Sequence, residues 1–111
     1  MGKKARKPAT VRVMGSRYKI TFTPLDGLCG ETNLTDRLIH INSTMSVPQQ
    51  KETLLHEILH TCLEDCPDLF EGAEARGDLL EENIVQWLSP RLFQVLRDNV
   101  GVRRFVCEED T

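Results

Sequence analysis

Apolar and polar positions alternate with a period of two between residues 11 and 42, the spacing of half-buried strands. The clearest run occupies residues 18–23, where aromatic and aliphatic side chains alternate with lysine and threonine. Shorter extended stretches lie at 28–32 and 38–42, with turn-forming residues between them. These patterns predict a small antiparallel sheet of about three strands, in which the last two stretches form a hairpin.

After residue 45 the spacing of apolar residues changes to that of an α-helix. Ser46 and Gln49 fit a capping box, and Pro48 lies in the first turn, where proline is tolerated. Apolar residues then recur at helical spacing: Leu54, Leu55, Ile58, Leu59, Cys62 and Leu63. We therefore expect one helix over about residues 47–65.

A second helical pattern begins near Asp78, after a loop-forming segment at 67–77. Ser89 and Pro90 interrupt this pattern, which predicts either a kink or a stop followed by a serine-capped restart. The pattern ends around residues 99–101. Together the elements predict an α+β fold, in which the sheet packs on the first helix and on a second, proline-interrupted C-terminal helix.

The 111-residue chain has the length of one domain, with 40% hydrophobic and 28% charged residues and a net charge of −3. This composition is typical of a soluble globular protein and excludes collagen-like and wholly disordered chains. Without a secretory signal or an apolar run near the ~20 residues of a membrane span, we expect a cytoplasmic protein that does not contact a membrane. We divide the chain into a flexible basic arm at 1–10, a domain at 11–101 and an acidic C-terminal tail at 102–111.

Residues 56–60 read HEILH, an H-E-x-x-H sequence inside the first predicted helix. Residues four apart lie one above the other on a helix, so His56 and His60 can direct imidazole nitrogens at one metal ion. Glu57 projects from the next position round the helix, where its carboxylate can reach a water on the metal and take its proton. The motif predicts a zinc site with Glu57 as general base and general acid.

Zinc needs a third protein ligand, and no histidine follows His60 in the chain. Glu81 and Glu82 open the second predicted helix, and Glu81 shares the apolar stripe of that helix. We expect Glu81 as the third ligand and Glu82 as the alternative, although Glu81 could instead form a capping box with Asp78. Ligands at 65–66 are less suitable, because the first helix would have to break immediately beyond the motif.

Three further residues have two interpretations each. His40, on the predicted strand at 38–42, either lines a cleft in which an extended substrate pairs with the strand or is an ordinary strand histidine. Cys62 and Cys66 are either small buried hydrophobic residues or partners for each other or for a metal.

The stretch RLIHINSTMSVPQQKETLLHEILHTCLED at 37–65, followed by LEENIVQWLSPRLFQVLRDN at 80–99, resembles the small zinc metallopeptidase-like proteins found in phage and prophage genomes. These proteins are similar in plan to minimal gluzincins and to the metallopeptidase domain of the ImmA/IrrE family. The resemblance covers about residues 17–100. It implies a minimal zincin-like domain and, for a phage-encoded protein, a location in the host cytoplasm.

The same resemblance implies roles for the motif residues. His56 and His60 would bind zinc, Glu57 would be the catalytic carboxylate, and Glu81 or Glu82 would be the third ligand. The sequence around these last two glutamates, Glu-Glu-Asn-Ile-Val, departs from the pattern that surrounds the ligand glutamate of larger gluzincins.

The leading hypothesis is a zinc-dependent metallopeptidase that hydrolyses peptide bonds of a peptide or protein substrate with metal-activated water. The alternative is a non-catalytic zinc-binding phage accessory or interaction protein, whose structural metal site is closed by a fourth ligand such as Cys66. A nucleic-acid-associated protein is a third hypothesis, but the net charge of −3 argues against nucleic-acid binding by anything other than the basic arm.

Overall fold

In the part of the chain that the structure describes, four strands precede three helices, so the sheet and the helices form separate layers, as expected of an α+β fold. The computed structural model describes residues 6–66 and 77–108. The elements are β1 (Thr10–Val13), β2 (Ser16–Thr23), β3 (Gly30–Asn33), β4 (Leu38–Asn42), α1 (Val47–Cys62), α2 (Gly77–Asp98) and α3 (Val100–Cys107). In the described ranges, none of the helices combines the length and the apolar character that crossing a bilayer requires.

The four strands form one mixed sheet in the order β1-β2-β4-β3. The predicted hairpin of the last two strands is confirmed, since β3 and β4 pair antiparallel. The α+β fold is confirmed, and the sheet differs in two respects from the expected small antiparallel sheet of about three strands: β1 adds a fourth strand, and β2 pairs parallel with β4. The parallel pairing places the two most apolar strands side by side, with Ile20 beside Ile39 and Phe22 beside Ile41.

The hydrophobic core lies between one face of the sheet and the helices, to which α2 contributes Val95. Tyr18, Ile39 and Ile41 come from the sheet, and each is at most 1% exposed. Ile58 of α1 and Phe105 of α3 cover them, with 0% and 2% of their surface exposed. Burying a large apolar side chain contributes about 1.5–3 kcal/mol, so this layer holds α1 firmly against the sheet.

Helix α1 begins as predicted and ends earlier. The Ser46 hydroxyl accepts a hydrogen bond from the Gln49 amide, and the Gln49 side chain accepts one from the Ser46 amide, so the capping box is confirmed. The helix ends at Cys62 rather than near residue 65. Asp65 has a φ of 62°, in the left-handed region, and this conformation turns the chain away from the helix axis.

Helix α2 is continuous from Gly77 to Asp98 with Pro90 inside it, so the stop and restart considered at Ser89 does not occur. A third helix, α3, follows directly from residue 100. The sequence placed residues 102–111 in an acidic tail, but Val102 and Phe105 of this segment are buried in the core. Their spacing of three residues puts both on one face of α3, and burying that face stabilises a helix too short to form alone.

The predicted basic arm also differs from the structure where the structure describes it. Residues 1–5 lie outside the described residues. Pro8 is buried, the Lys7 ammonium lies 4.8 Å from the centre of the Phe22 ring, and the Ala9 carbonyl accepts a hydrogen bond from the Ile20 amide. The last residues assigned to the arm therefore pack on the sheet and lead into β1.

The two edge strands of the sheet, β1 and β3, differ in whether side chains bind their outward backbone groups. Along β1, Gln94 and Asn99 satisfy backbone groups that a further strand would otherwise pair with. The Asn99 side chain accepts from the Arg12 amide at 2.7 Å and donates to the Arg12 carbonyl at 2.8 Å, while Gln94 accepts from the Met14 amide at 2.7 Å. Within the described residues, no strand or side chain closes β3 in this way. One edge is thus blocked against strand addition and the other is left accessible.

The only tyrosine of the chain joins β2 to the segment that follows α1. The Tyr18 hydroxyl donates to a Glu64 carboxylate oxygen at 2.7 Å. Burial, this hydrogen bond and the negative charge of Glu64 together raise the pKa of Tyr18 to about 12.

Replacing Asn99 by alanine should remove three side-chain hydrogen bonds, two to Arg12 and one to the Val95 carbonyl. We expect the free energy of unfolding in urea to fall by about 0.5–1.5 kcal/mol, because the exposed Arg12 amide loses its side-chain partner while the Arg12 carbonyl keeps the Gln94 donor at 3.1 Å. Asn99→Asp keeps the acceptor and loses both donors, so its stability should lie between those of Asn99→Ala and the unchanged chain. Equal stability of all three proteins would contradict this role.

The ultraviolet absorbance of the single tyrosine should show a phenolate transition near pH 12 in the folded chain and near pH 10 in urea. Because the folded pKa is the higher one, the stabilisation from neutral Tyr18 is complete below about pH 10 and is lost as the pH rises towards 12. Tyr18→Phe should remove this contribution to the alkaline loss of stability. A phenolate transition near pH 10 in the folded chain would contradict the buried hydrogen bond.

Candidate metal centre

His56 and His60 meet on the exposed side of α1. Their Nε2 atoms lie 3.1 Å apart, and the two rings are nearly perpendicular, with an interplanar angle of 79°. Two nitrogens bound to one tetrahedral zinc at about 2.0–2.1 Å lie about 3.3 Å from each other. The spacing of the imidazole nitrogens therefore fits one metal ion, and the exposed rings leave the approach from solvent free.

Glu57 has the opposite environment, since its side chain is only 8% exposed. One carboxylate oxygen, Oε1, accepts a hydrogen bond from the Thr32 hydroxyl at 2.8 Å. The other, Oε2, lies 3.8 Å from Nε2 of His56. Burial and the hydrogen bond fix the carboxylate so that its remaining oxygen lies beside the histidine pair.

Gly30 allows α1 to approach β3 closely enough for this contact. A β-carbon at this position would lie 2.7 Å from the Thr53 methyl group, 3.0 Å from the His40 carbonyl oxygen and 3.3 Å from Cγ of Glu57. Any side chain there would push the helix away from the strand. The sequence pattern alone does not single out Gly30 or Thr32, although they lie two apart in the predicted stretch at 28–32 and so share one face.

His56, Glu57 and His60 offer ligand atoms that all lie within 4.8 Å of one another. Over residues 6–66 and 77–108, this is the one group of three or more potential ligands. Glu81 and Glu82 are exposed on α2 and are not part of it, and the Glu82 carboxylate accepts a hydrogen bond from the Gln86 amide at 3.1 Å. The third ligand therefore stays a prediction.

The remaining candidates do not join this group. His40 lies opposite Glu31 in the β3–β4 register, on the sheet face away from α1, and its Nδ1 atom is 3.0 Å from the Glu31 carboxylate. This position favours its interpretation as an ordinary strand histidine. Cys62 is buried in the core, where burial raises the pKa of its thiol, and Cys66 lies beyond the end of α1. Both are free thiols.

A groove of about 470 Å³ lies beside the histidine pair, between the start of β3 and the N-terminal half of α1. We call it the α1–β3 groove. Besides His56 and Glu57, its walls are Cys29, Gly30, Met45, Gln49, Glu52 and Thr53.

The accessible edge of β3 borders this groove. The Cys29 carbonyl accepts from the Asn42 amide at 2.8 Å, so residue 29 is a hydrogen-bonded partner of β4. In an antiparallel ladder such residues alternate with residues whose N–H and C=O groups point to the other side. The backbone groups of Gly30 and Thr32 therefore point away from β4 and can pair with an extended segment.

A model of the IrrE N-terminal-like domain, a peptidase family, matches residues 15–85, more than half of the chain. The chain belongs to this family. The IrrE N-terminal-like match covers β2 to β4, all of α1 and the part of α2 that carries Glu81 and Glu82. It supports a metallopeptidase domain and implies a metal cofactor, for which the histidine pair supplies suitable ligands. No significant match was found among curated protein sequences or among solved structures.

Replacing Thr32 by valine should leave Oε1 of the buried Glu57 without its donor. We expect the free energy of unfolding to fall by about 1–3 kcal/mol in a urea titration, since a buried acceptor loses its partner. Thr32→Ser keeps the hydroxyl and should retain most of the stability.

Thr21→Val is the matched control, because Thr21 pairs with His40 on the opposite face of the sheet. Its effect should stay within about 0.5 kcal/mol. If Thr32→Val were no more destabilising than Thr21→Val, the hydrogen bond to Glu57 would not contribute to stability.

Proposed function

We propose that the chain is a zinc-dependent metallopeptidase, with Glu57 as its general base and general acid. The observation that carries this proposal is the combination of two histidine nitrogens 3.1 Å apart with a buried carboxylate beside them. The same three residues are the ligand cluster in a domain of the IrrE N-terminal-like family.

His56 and His60 would hold the ion, together with a glutamate of α2. Glu81 remains our preferred third ligand and Glu82 the alternative. Two imidazoles and a carboxylate are a ligand set that zinc accepts at catalytic sites, where one position is left for water or substrate. Zinc bound there would supply Lewis-acid chemistry, polarising the peptide carbonyl and lowering the pKa of bound water to about 7.

Glu57 would move the proton. Its Oε1 atom is held by Thr32, so Oε2, on the side of the histidines, would accept the proton of the attacking water. The protonated carboxyl would then give this proton to the nitrogen of the leaving amine, which completes hydrolysis of the peptide bond. The fixed position of the carboxylate favours both transfers, because no reorientation of the side chain is needed.

The accessible edge of β3 would bind the substrate as an extended segment. Outward N–H and C=O groups of Gly30 and Thr32 can pair with a peptide backbone in the strand-addition mode. Such a segment would lie along the same residues that position Glu57, with the histidine pair beside it. The expected partner is therefore a peptide, or an extended segment of a protein.

The alternative is a non-catalytic protein with a structural zinc site. Such a site is closed by four protein ligands, for which Cys66 was the candidate. Cys66 does not join the cluster, and the His56 side chain is 66% exposed. These two observations favour the catalytic proposal.

Metal analysis of protein purified without a histidine tag tests the proposal. We expect about one zinc per chain in the unchanged protein and in Glu57→Gln, and loss of zinc in His56→Ala. His40→Ala is the matched control, since it removes the remaining histidine, which lies on the other face of the sheet. Glu81→Gln and Glu82→Gln, assayed separately, identify the third ligand by loss of zinc.

Cleavage of a mixed peptide library, followed by mass spectrometry, tests the activity of the same proteins. Glu57→Gln should keep its zinc and lose at least about 100-fold in rate, the usual contribution of a general base. Undiminished cleavage by zinc-loaded Glu57→Gln would contradict the role of Glu57. Zinc bound equally by His56→Ala and His40→Ala would place the metal elsewhere.

A further inference from the structure

The α1–β3 groove contains one carboxylate that the proposed reaction does not use. Glu52 lies four residues before His56 on α1, so the two side chains share a face of the helix. Both line the groove of about 470 Å³. A side chain that entered the groove from an extended segment on β3 would therefore meet Glu52 one helical turn before His56.

The walls of the groove are acidic, and Glu52 lies one helical turn from the proposed metal ligand His56. Among the residues that the structure describes, these walls carry the carboxylates of Glu52 and Glu57 and no lysine or arginine. Glu57 has a hydrogen bond from Thr32, whereas Glu52 is exposed and makes no hydrogen bond or ion pair with any residue of the described ranges. The neighbouring Lys51 ammonium points elsewhere, since it donates to the Glu108 carbonyl. A cleft of one sign of charge concentrates ligands of the opposite sign.

The remaining walls suit the stem of a long cationic side chain. Met45 is partly buried against the core, and the methyl group of Thr53 faces the strand at Gly30. Lysine and arginine lay their methylene groups along apolar surface while the charged end reaches a polar partner. The groove provides such a surface, with Glu52 as the partner for the charged end.

We propose that the α1–β3 groove is a subsite for a lysine or arginine side chain of the substrate and that Glu52 selects it. This assignment rests on the proposed function, in which an extended segment pairs with β3. Alternate side chains of an added strand point to the same face of the sheet, so one of them faces α1 at the groove. The substrate class is then an extended segment with a basic residue close to the cleaved bond.

Binding of matched peptides tests the proposal without any need for turnover. The probes are three acetylated and amidated heptapeptides of valine, threonine and alanine that differ only at the central residue, which is arginine, leucine or glutamate. Their affinities are measured by calorimetry on the full chain carrying Glu57→Gln, with and without zinc. We expect the arginine peptide to bind about three- to fivefold more tightly than the leucine peptide, the effect of a partly exposed ion pair.

Variants at Glu52 then identify the selecting group. Added to the same chain, Glu52→Gln should abolish the preference for arginine, and Glu52→Lys should reverse it in favour of the glutamate peptide. Glu108→Gln, which makes the same charge change at the end of α3, should leave the preference intact. High salt should weaken the preference, because the ion pair is accessible to solvent.

Equal affinities for the three peptides, no binding of any of them, or a preference that survives Glu52→Gln would overturn the subsite. Library cleavage by the zinc-loaded protein without a basic preference would also overturn it and would leave the proposed peptidase intact. A Glu52-dependent preference in binding, accompanied by no cleavage, would support the subsite and contradict the peptidase.

Discussion

The close contact between α1 and β3 is the constraint on which the site depends. Gly30 lets the helix approach the strand, and the approach brings Thr32 within 2.8 Å of Glu57. A carboxylate is costly to bury unless it is hydrogen bonded, so the strand supplies the donor that makes this position tolerable. Because Glu57 is fixed against the sheet, the next residues round the helix, His56 and His60, are turned towards solvent with their nitrogens together. Helix geometry and one strand contact thus produce both the buried and the exposed half of the site.

The two edges of the sheet differ in whether a further strand can pair with them. Its β1 edge is occupied by the side chains of Gln94 and Asn99, and its β3 edge presents the backbone of Gly30 and Thr32. Among the described residues, only the β3 edge, which lies beside the histidine pair, offers backbone groups with which an extended segment can pair. Blocking one edge lowers the risk of unwanted strand pairing, and leaving the other free would give a small domain a place for the proposed substrate without additional loops.

The parts of the fold and of the candidate site that depend on local interactions could be predicted from the sequence. The capping box of Ser46 and Gln49 and the helical apolar spacing were sufficient for α1, and residues four apart on a helix necessarily place His56 beside His60. The strand β1 was missed because its hairpin turn uses Met14 at a φ of 55° before Gly15, a sequence without the usual asparagine or aspartate signal. The parallel pairing of β2 with β4 and the contact of Thr32 with Glu57 join distant segments, which no local pattern specifies. Helix α3 is short and owes its stability to burial, so its own sequence gave little indication of it.

Helices α2 and α3 bear on how much of the chain a stable domain requires. The family match ends at residue 85, inside α2, whereas Val95, Val102 and Phe105 of the core and the side chains that block the β1 edge all follow it. The matched stretch carries the proposed metal ligands but omits part of the core and the side chains that cover one sheet edge. Residues 15–85 also lack β1, so transplanting them alone into another protein would transfer the proposed ligands with an uncovered core and with β2 as an unpaired edge, and the host would have to replace both.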